Sequence, residues 1–160
     1  MLPFFRRRPD FSDDAIDLVL AHQGRWDEEL GIEEEYTFNI RPKGTRTNAG
    51  YISFRVGESP GLYYLGHIGY RVDMPFRGRG YAARAVHLLK PLMQREGFHS
   101  VVITTDEGNL PSRKTCDKLN CVLENIVPVP LEFRDMCMGS TSKCRYILLF
   151  KEGADRCRQK

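Results

Sequence analysis

Residues 68–91, IGYRVDMPFRGRGYAARAVHLLKP, change from a strand pattern to a helix pattern within one short turn. From Arg79 to Gln94 the apolar residues recur at spacings of three and four, which is typical of an amphipathic helix. Pro91 is expected to bend this helix or to end its regular part, and Gly97 suits its C-terminal end. The stretch therefore predicts a strand, a turn and a helix in direct succession.

Alternating apolar and polar residues precede this stretch, as in half-buried strands. Three segments alternate in this way: residues 15–20, 36–40 and 51–56. A turn at residues 57–61 separates the last of them from the strand predicted at residues 62–72, so that residues 36–72 form an antiparallel meander. The acidic connector at residues 21–35 contains the only tryptophan, Trp26. Its helical pattern is poor, and we expect a loop there with one turn at most.

A further strand and a second helix follow the first helix. Residues 100–105, SVVITT, are a continuous β-branched run, as in a strand that is covered on both faces in parallel pairing. Asn109 can cap a helix that has Pro111 in its first turn and runs to about Leu119. Two last strands and the irregular segment between them complete the chain: residues 122–129, 145–151 and 130–143.

These elements predict an α/β (α+β) fold on a mixed, mostly antiparallel sheet of about six or seven strands, with helices on both faces. A right-handed crossover through the first helix would make the strands before and after it parallel neighbours. A single domain over residues 1–160 is long enough for a sizeable core. We expect loose termini at residues 1–12 and 152–160.

Composition and charge narrow the function classes. Hydrophobic residues make up 41% and charged residues 28% of the 160, as is typical of a folded globular chain. A net charge of +3 is too small to indicate a nucleic-acid platform, and no apolar run is long enough for a membrane helix. The N-terminal residues lack the order of a secretory signal. Five cysteines without a C-x-x-C pair argue against a disulfide framework and a zinc site, so we expect reduced thiols in the cytoplasm and no metal.

The turn at residues 75–82, PFRGRGYA, carries the first functional signal. Arg77, Gly80 and Ala82 fit the pattern R-x-x-G-x-G/A between a strand and a helix. At such a junction unpaired backbone amides and the positive end of the helix dipole point at one spot, which predicts a phosphate site. No G-K-[ST] follows, and this disfavours nucleotide hydrolysis. The alternative is a surface turn of arginine and glycine that touches nucleic acid.

Together with residues 104–120, TTDEGNLPSRKTCDKLN, this stretch resembles the GCN5-related N-acetyltransferase (GNAT) superfamily, in the style of its ribosomal-protein acetyltransferase branch. The likeness extends over residues 66–129 and is weaker at residues 21–35, where the family has two helices. It implies an acyltransferase that moves the acetyl group of acetyl-CoA directly to a primary amine in a ternary complex. It also implies that the two parallel strands splay apart to bind acetyl-CoA.

The resemblance implies a set of acetyl-CoA-binding residues: Tyr70, Arg71, Val72, Arg77, Gly78, Arg79, Gly80, Tyr81, Ala82, Asn109 and Ser112. The amides of residues 78–82 would hold the diphosphate, and the backbone of residues 70–72 would hold the pantetheine arm. Asn109 is equally suited to be a helix cap, and the two roles can coexist. Ser112 has the same two interpretations.

Removal of a proton from the acceptor amine needs a base or a water chain, and His67 is the best-placed titratable residue by sequence. A strand histidine bonded to a backbone partner is the alternative interpretation, and Asp106 and Glu107 are the alternative bases. The backbone amide of Val72 is the expected donor to the oxyanion.

Protonation of the leaving CoA thiolate has two candidate donors. In the superfamily a tyrosine stands seven residues after the motif asparagine, and here that position is Cys116. A cysteine on a helix face is also a common core residue, and a covalent acetyl-cysteine is disfavoured because no histidine is near in sequence. Tyr146 on the last strand is the other candidate, with a core aromatic as its alternative role.

Two other function classes stay open in the sequence. A binding module of the same fold would sense acyl-CoA without turnover, since a fold alone does not imply a function. A nucleic-acid-contacting domain would use the arginines at positions 6–8, 77 and 79, against a weak net charge. The sequence names neither the acceptor amine nor the oligomeric state, and a homodimer is compatible with it.

Overall fold

One sheet of eight strands organises the part of the chain that the structure describes. The structure is a computed structural model, and it describes residues 9–25 and 27–151. The strands are β1 (Phe11–Ser12), β2 (Ile16–Gly24), β3 (Ile32–Pro42), β4 (Gly50–Gly57), β5 (Ile68–Val72), β6 (Ser100–Thr105), β7 (Val122–Pro128) and β8 (Ser142–Leu149). The helices are α1 (Pro60–Leu65), α2 (Tyr81–Arg95), α3 (Leu110–Lys118) and α4 (Leu131–Arg134), with a 3-10 turn at Met74–Phe76.

The strand order is β1-β2-β3-β4-β5-β6-β8-β7, and every neighbouring pair is antiparallel except β5 and β6. The crossover between these two parallel strands runs through α2. The predicted mixed, mostly antiparallel α/β sheet with one parallel β-α-β pair is therefore confirmed.

The sheet has more strands than predicted because the N-terminal segment joins it. Phe11 and Ser12 pair with β2, and the Phe11 ring packs edge-on against Phe38 with centroids 5.6 Å apart. The prediction of a loose terminus is wrong at these two residues. Residues 1–8 and 152–160, which complete the predicted loose termini, lie outside the described residues.

The acidic connector at residues 21–35 is part of a hairpin, and the prediction of a loop is wrong there. β2 and β3 extend into it from both sides, and β3 begins at Ile32. The alternation of apolar and polar residues that marks a strand is obscured in the connector, because a charged residue, Glu35, occupies a buried position. Its carboxylate lies 3.7 Å from the Arg55 guanidinium on β4. Trp26 lies outside the described residues.

Helix α1 occupies much of the segment that was expected to be strand at residues 62–72. The Ser59 hydroxyl accepts a hydrogen bond from the Leu62 amide at 3.0 Å, and Pro60 stands in the first turn. Serine and proline in these positions start a helix, because the serine satisfies a free amide and the proline needs no partner. β5 therefore begins only at Ile68.

Helix α2 does not end at Pro91 but continues to Arg95. Its predicted apolar face is buried along the whole length: Ala82, Ala85, Val86, Leu89, Leu92 and Met93. Pro91 lies on the exposed side and removes only one backbone donor, so burial of the following residues keeps the helix intact. Gly97, with a φ of 90°, ends the helix as predicted, and the amides of Gly97 and Phe98 bond back to the last turn at 3.0 Å.

The remaining elements lie close to their predicted positions. α3 follows its predicted cap, Asn109, and ends one residue before Leu119. The irregular segment at residues 130–143 contains the short helix α4 and leads into β8. Over the described ranges, no helix combines the length and the apolar character that a bilayer crossing requires.

Candidate functional site

The parallel strands β5 and β6 are in contact at one end only. β5 pairs with β4 at five positions, but it pairs with β6 only at Ile68, opposite Ile103. Next to that pair, the His67 amide donates a hydrogen bond to the Val102 carbonyl at 2.9 Å. Beyond Ile68 no described strand pairs with this edge of β5, so the two strands diverge toward Val72 as the resemblance implied.

The open edge of β5 presents main-chain groups of Tyr70 and Val72. Backbone hydrogen bonds to the β4 side occur at His67 and Asp73, both at 2.8 Å, and in antiparallel pairing they recur at every second residue. The even-numbered residues between them therefore direct their amides and carbonyls away from β4. The Val72 carbonyl accepts a hydrogen bond from Arg77 Nε at 2.9 Å, which leaves the Val72 amide and both main-chain groups of Tyr70 facing the gap.

The His67 side chain closes the narrow end of the gap. Its Nδ1 accepts a hydrogen bond from the Val102 amide at 3.0 Å, and its Nε2 lies 3.1 Å from Glu58 Oε1. The ring is buried and packs edge-on against Phe98 with centroids 5.0 Å apart. Burial lowers the pKa of His67 below its ordinary value, and the Glu58 carboxylate offsets only part of this effect. Both ring nitrogens thus have partners, and the bond to Nδ1 links the residue before β5 to β6.

The turn before α2 presents free backbone amides. Gly78 and Gly80 have φ values of 78° and 73°, in the left-handed region that favours glycine. The amides of residues 78–83 donate no hydrogen bond within the part of the chain that the structure describes. α2 has neither a side-chain cap nor an acidic residue in its first turn, so nothing local neutralises the positive end of its dipole. This arrangement suits a phosphate.

A cleft of about 610 Å³ extends from this turn to the open edge of β5, and α3 forms part of its wall. At the start of α3, Asn109 Oδ1 accepts a hydrogen bond from the Ser112 amide at 3.3 Å. Ser112 Oγ lies 2.9 Å from the Tyr70 hydroxyl, which links α3 to β5. Burial raises the pKa of Tyr70 and keeps its phenol protonated. The volume is typical of a small-molecule site.

The cleft brings together most of the residues that the sequence predicts to bind a ligand. Those on its wall are Tyr70, Arg71, Val72, Arg77, Gly78, Gly80, Tyr81, Ala82, Asn109 and Ser112. Arg79 is not on the wall, and its guanidinium lies 5.8 Å from the centroid of the Phe76 ring. The role of each residue in binding remains a prediction.

Of the predicted catalytic residues, only Val72 lines the cleft. Cys116 is fully buried, and a hydrogen bond with the Cys121 thiol together with burial raises its pKa. Tyr146 is buried on β8, where its hydroxyl accepts a hydrogen bond from Arg113 Nε at 3.1 Å. The structure therefore does not bring Cys116, Tyr146 or His67 to the cleft, and their surroundings are those of core residues.

The alternative bases after β6 also lie away from the cleft wall. Asp106 Oδ1 accepts hydrogen bonds from Lys143 Nζ at 2.8 Å and from Ser140 Oγ at 2.6 Å. Burial raises the pKa of Asp106, but these two hydrogen bonds outweigh it and lower the pKa overall. Glu107 Oε1 accepts a hydrogen bond from Ser142 Oγ at 2.7 Å. Both carboxylates are thus engaged with the segment that leads into β8.

Sequence reasoning missed a second group of cleft residues: Phe76, Ala83, Leu110, Pro111, Lys114, Thr115 and Lys118. Most of them lie on α3, where Pro111, Lys114 and Lys118 recur at spacings of three and four. Residues spaced in this way share one face of a helix. Following the helical spacing along α3 would have identified Pro111, Lys114 and Lys118 as one face of the helix that Asn109 caps.

A second cavity, of about 780 Å³, is lined mainly by acidic residues of the β2–β3 hairpin together with Glu58 and Glu96. None of the predicted site residues lies on its wall. Within residues 9–25 and 27–151, no three histidine, cysteine or acidic side chains are grouped closely enough to hold a metal ion. The cleft between β5, α2 and α3 is therefore where the predicted residues collect.

Comparison with known proteins agrees with this geometry. The family model of the acetyltransferase (GNAT) domain matches residues 5–122. The structure of the microcin C7 self-immunity acetyltransferase MccE, in complex with acetyl-CoA and AMP, has 21% identity and a TM-score of 0.55, and the match covers 72% of this chain and 61% of that one. No curated protein sequence matches the chain significantly.

Two ribosomal-protein acetyltransferases have similar structures. RimL, the ribosomal L7/L12 alpha-N-protein acetyltransferase in complex with coenzyme A, has 21% identity and a TM-score of 0.54, over 72% of this chain and 62% of that one. The ribosomal-protein-S5-alanine acetyltransferase of Vibrio fischeri has 20% identity and a TM-score of 0.57, over 72% and 61%. At these identities the likeness shows a shared fold. The matched region spans about three fifths of the length of these proteins.

Proposed function

The chain belongs to the GNAT acetyltransferase family, and we propose that it is an N-acetyltransferase that moves the acetyl group of acetyl-CoA to a primary amine. The proposal rests on one observation: the free amides of the turn before α2 and the open edge of β5 line the same cleft. A diphosphate suits the first feature, and an extended arm with amide groups suits the second. Coenzyme A combines these two chemical groups in one molecule.

Binding would use main-chain groups more than side chains. The amides of residues 78–83 would donate to the diphosphate, where glycines at positions 78 and 80 let its oxygens approach the backbone. The arm would lie along β5 as an added strand, because the Tyr70 amide and carbonyl have no partner on that side among the described residues. Acetyl-CoA supplies the thioester carbonyl that the amine attacks.

The proposed reaction is a direct transfer. The amine nitrogen forms a bond to the carbonyl carbon, the carbon–sulfur bond breaks, CoA leaves as a thiolate and the new amide loses one proton from nitrogen. We assign the Val72 amide as the donor to the carbonyl oxygen, since a fixed backbone dipole stabilises developing negative charge without reorganising. The chain would accelerate the reaction chiefly by holding the two reactants in one geometry.

No carboxylate or imidazole is found among the described residues that line the cleft. The proton of the amine would therefore pass to water, and the acceptor would react in its unprotonated form. The thiolate would also take its proton from water, because burial raises the pKa of Tyr70 and the bond to Cys121 raises that of Cys116, which makes both weak acids. The rate should then rise with pH toward the pKa of the acceptor, near 8 for an α-amine and about 10.4 for a lysine.

A non-catalytic acyl-CoA sensor is the second candidate function. It is favoured by the cysteine at the position where the superfamily has a tyrosine, and by the lack of a carboxylate or imidazole on the cleft wall among the described residues. The cytoplasm remains the proposed location, since the four cysteines in the described ranges are all free thiols.

Two measurements test the proposal in sequence. Titration of the protein with CoA should raise its melting temperature, by an amount that corresponds to about 2.7 kcal/mol at 100 times the dissociation constant. Release of free thiol from acetyl-CoA should then accelerate with one class of amine in a panel of peptide N-termini, lysine peptides, polyamines and small amines. Absence of a thermal shift would remove both candidates. A thermal shift without turnover on any amine would favour the sensor.

A further inference from the structure

Lys118, in the last turn of α3, reaches the turn that precedes α2. Its Nζ lies 3.3 Å from the position that a Cβ atom would take on Gly80, the N-cap residue of α2. Lys118 also lines the cleft. A cation on one helix therefore stands beside the free amides at the start of another helix, and the two face the same space.

Lys118 is exposed, and no contact within the described ranges holds its ammonium group in this position. Lys118 forms no ion pair and no hydrogen bond with any residue in the described ranges. A lysine in the last turn of a helix interacts favourably with the negative end of the helix dipole. That effect explains why a lysine suits α3 but does not explain why it extends to Gly80. A second lysine, Lys114, lies one turn earlier on the same wall.

We infer that Lys118 is a side-chain ligand of the diphosphate and completes a cradle whose other half is the backbone of residues 78–83. The inference rests on the proposed function. Amides at a helix N-terminus bind any small oxyanion, whereas an ammonium group opposite them adds a charge that favours a ligand with more than one negative charge. Lys118 would thus strengthen the preference of the site for a diphosphate-bearing thioester over an unphosphorylated pantetheine thioester.

The test compares three probes on two variants. The probes are CoA, dephospho-CoA, which keeps the diphosphate but lacks the 3′-phosphate, and pantetheine, which has neither. The variants are Lys118→Met and Lys151→Met. Lys151 is exposed beyond the end of β8 and lies outside the cleft, so its substitution removes the same charge at a position that does not contact the proposed ligand. Lys118→Arg restores the charge.

Loss of a charge-assisted contact should raise the dissociation constants of CoA and dephospho-CoA for Lys118→Met by the same factor, roughly tenfold or more. The affinity for pantetheine should equal that of Lys151→Met. With turnover, KM for acetyl-CoA should rise while kcat at saturation stays unchanged, and Lys118→Arg should recover most of the loss. Weakening of CoA alone would place Lys118 on the 3′-phosphate and overturn the assignment.

Failure of the inference is distinguishable from failure of the proposed function. If the unmodified protein binds CoA and Lys118→Met binds it as tightly as Lys151→Met does, Lys118 is not a ligand and the proposed function stands. If the unmodified protein binds no CoA, both are wrong. Equal circular dichroism spectra of the variants show that each of them is folded when it is measured.

Discussion

The hydroxyl oxygens of Tyr70 and Ser112 lie 2.9 Å apart and join β5 to α3. Tyr70 belongs to the strand that diverges from β6, and Ser112 belongs to the first turn of the helix that follows β6. The pair therefore spans the two halves of the parallel unit beside the cleft. Because burial raises the pKa of Tyr70, its hydroxyl stays a hydrogen-bonding group and a weak acid at neutral pH.

Tyr70→Phe removes this hydroxyl and keeps the ring. We expect the free energy of unfolding to fall by about 1 kcal/mol, the net value of one hydrogen bond. The value of kcat should change by less than about threefold, because a phenol with a raised pKa is a poor proton donor to a thiolate. Urea denaturation and steady-state kinetics measure the two effects, with Tyr51→Phe on the exposed side of β4 as the control. A fall in kcat of about 100-fold at unchanged KM would instead make Tyr70 the proton donor.

Gly80→Glu should abolish most CoA binding without unfolding the protein. The residue has a φ of 73°, and its new side chain would start 3.3 Å from Lys118 Nζ with a carboxylate among the free amides. We expect the dissociation constant of CoA to rise by about 100-fold or more. Isothermal titration gives that value, and thermal melting gives the cost in stability.

Gly97→Ala is the matched control for backbone strain in this experiment. Gly97 has a φ of 90° with open space around it, and it follows the other end of α2. A side chain there should cost about 1–2 kcal/mol in stability and leave CoA affinity unchanged. If Gly80→Glu loses stability but binds CoA like the control, the turn before α2 does not hold the diphosphate.

His67 should make the protein less stable at mildly acidic pH. Its pKa is lowered by burial in the folded state, so the unfolded chain binds more protons as the pH falls. The free energy of unfolding is therefore at its full value above about pH 6.5 and decreases below it, by at most about 1.4 kcal/mol per pH unit. Asp13, Asp17 and Asp106 also have lowered pKa values, but they affect stability only below about pH 4.

Chemical denaturation between about pH 7.5 and pH 5.5 measures this effect. The His67→Gln variant should show a flatter pH dependence than the unmodified protein, and His87→Gln, on the exposed side of α2, serves as the control. If His67→Gln and the unmodified protein have the same slope, the histidine does not carry the effect. A change in the pH profile of kcat for His67→Gln would restore the sequence-based prediction of a general base.

The elements that could be predicted from the sequence are those that local chemistry determines. α2 follows from a helical period over its whole length, and the turn before it follows from glycines at positions with positive φ. The start of α3 follows from an asparagine cap. For the same reason, the residues predicted within these motifs line the cleft, with the exception of Arg79, whose guanidinium lies beside the Phe76 ring; their role in binding stays a prediction.

The features that the sequence did not predict depend on which strands pair and which helices pack together, and no local sequence pattern contains that information. Glu35 is buried opposite Arg55 on the neighbouring strand, and this pairing is not visible in the local sequence. His67 is near the predicted pantetheine segment in sequence, but the pairing of β5 with β6 at Ile68 places it at the closed end of the gap. Lys118 reaches Gly80 only through the packing of α3 beside α2.

Asn109 offers a way to separate a structural role from a ligand-binding role. Its side chain caps α3 by accepting a hydrogen bond from the Ser112 amide, and it also lines the cleft. Aspartate caps a helix as well as asparagine does, whereas alanine does not, and loss of the cap costs about 1 kcal/mol. Asn109→Ala should therefore lower the free energy of unfolding by that amount, and Asn109→Asp should leave it unchanged.

The order of the two variants should be reversed for CoA affinity: Asn109→Asp, which keeps its stability, should lose more affinity than Asn109→Ala. The aspartate of Asn109→Asp places a negative charge beside a ligand that carries phosphates, and it has no amide donor. We therefore expect the dissociation constant of this variant for CoA to rise by roughly tenfold. Asn109→Ala should lose less affinity, because it adds no charge. Titration with CoA after denaturation measurements on the same samples gives both quantities. Normal CoA affinity in Asn109→Asp would show that Asn109 serves α3 alone and that the ligand lies beyond its reach.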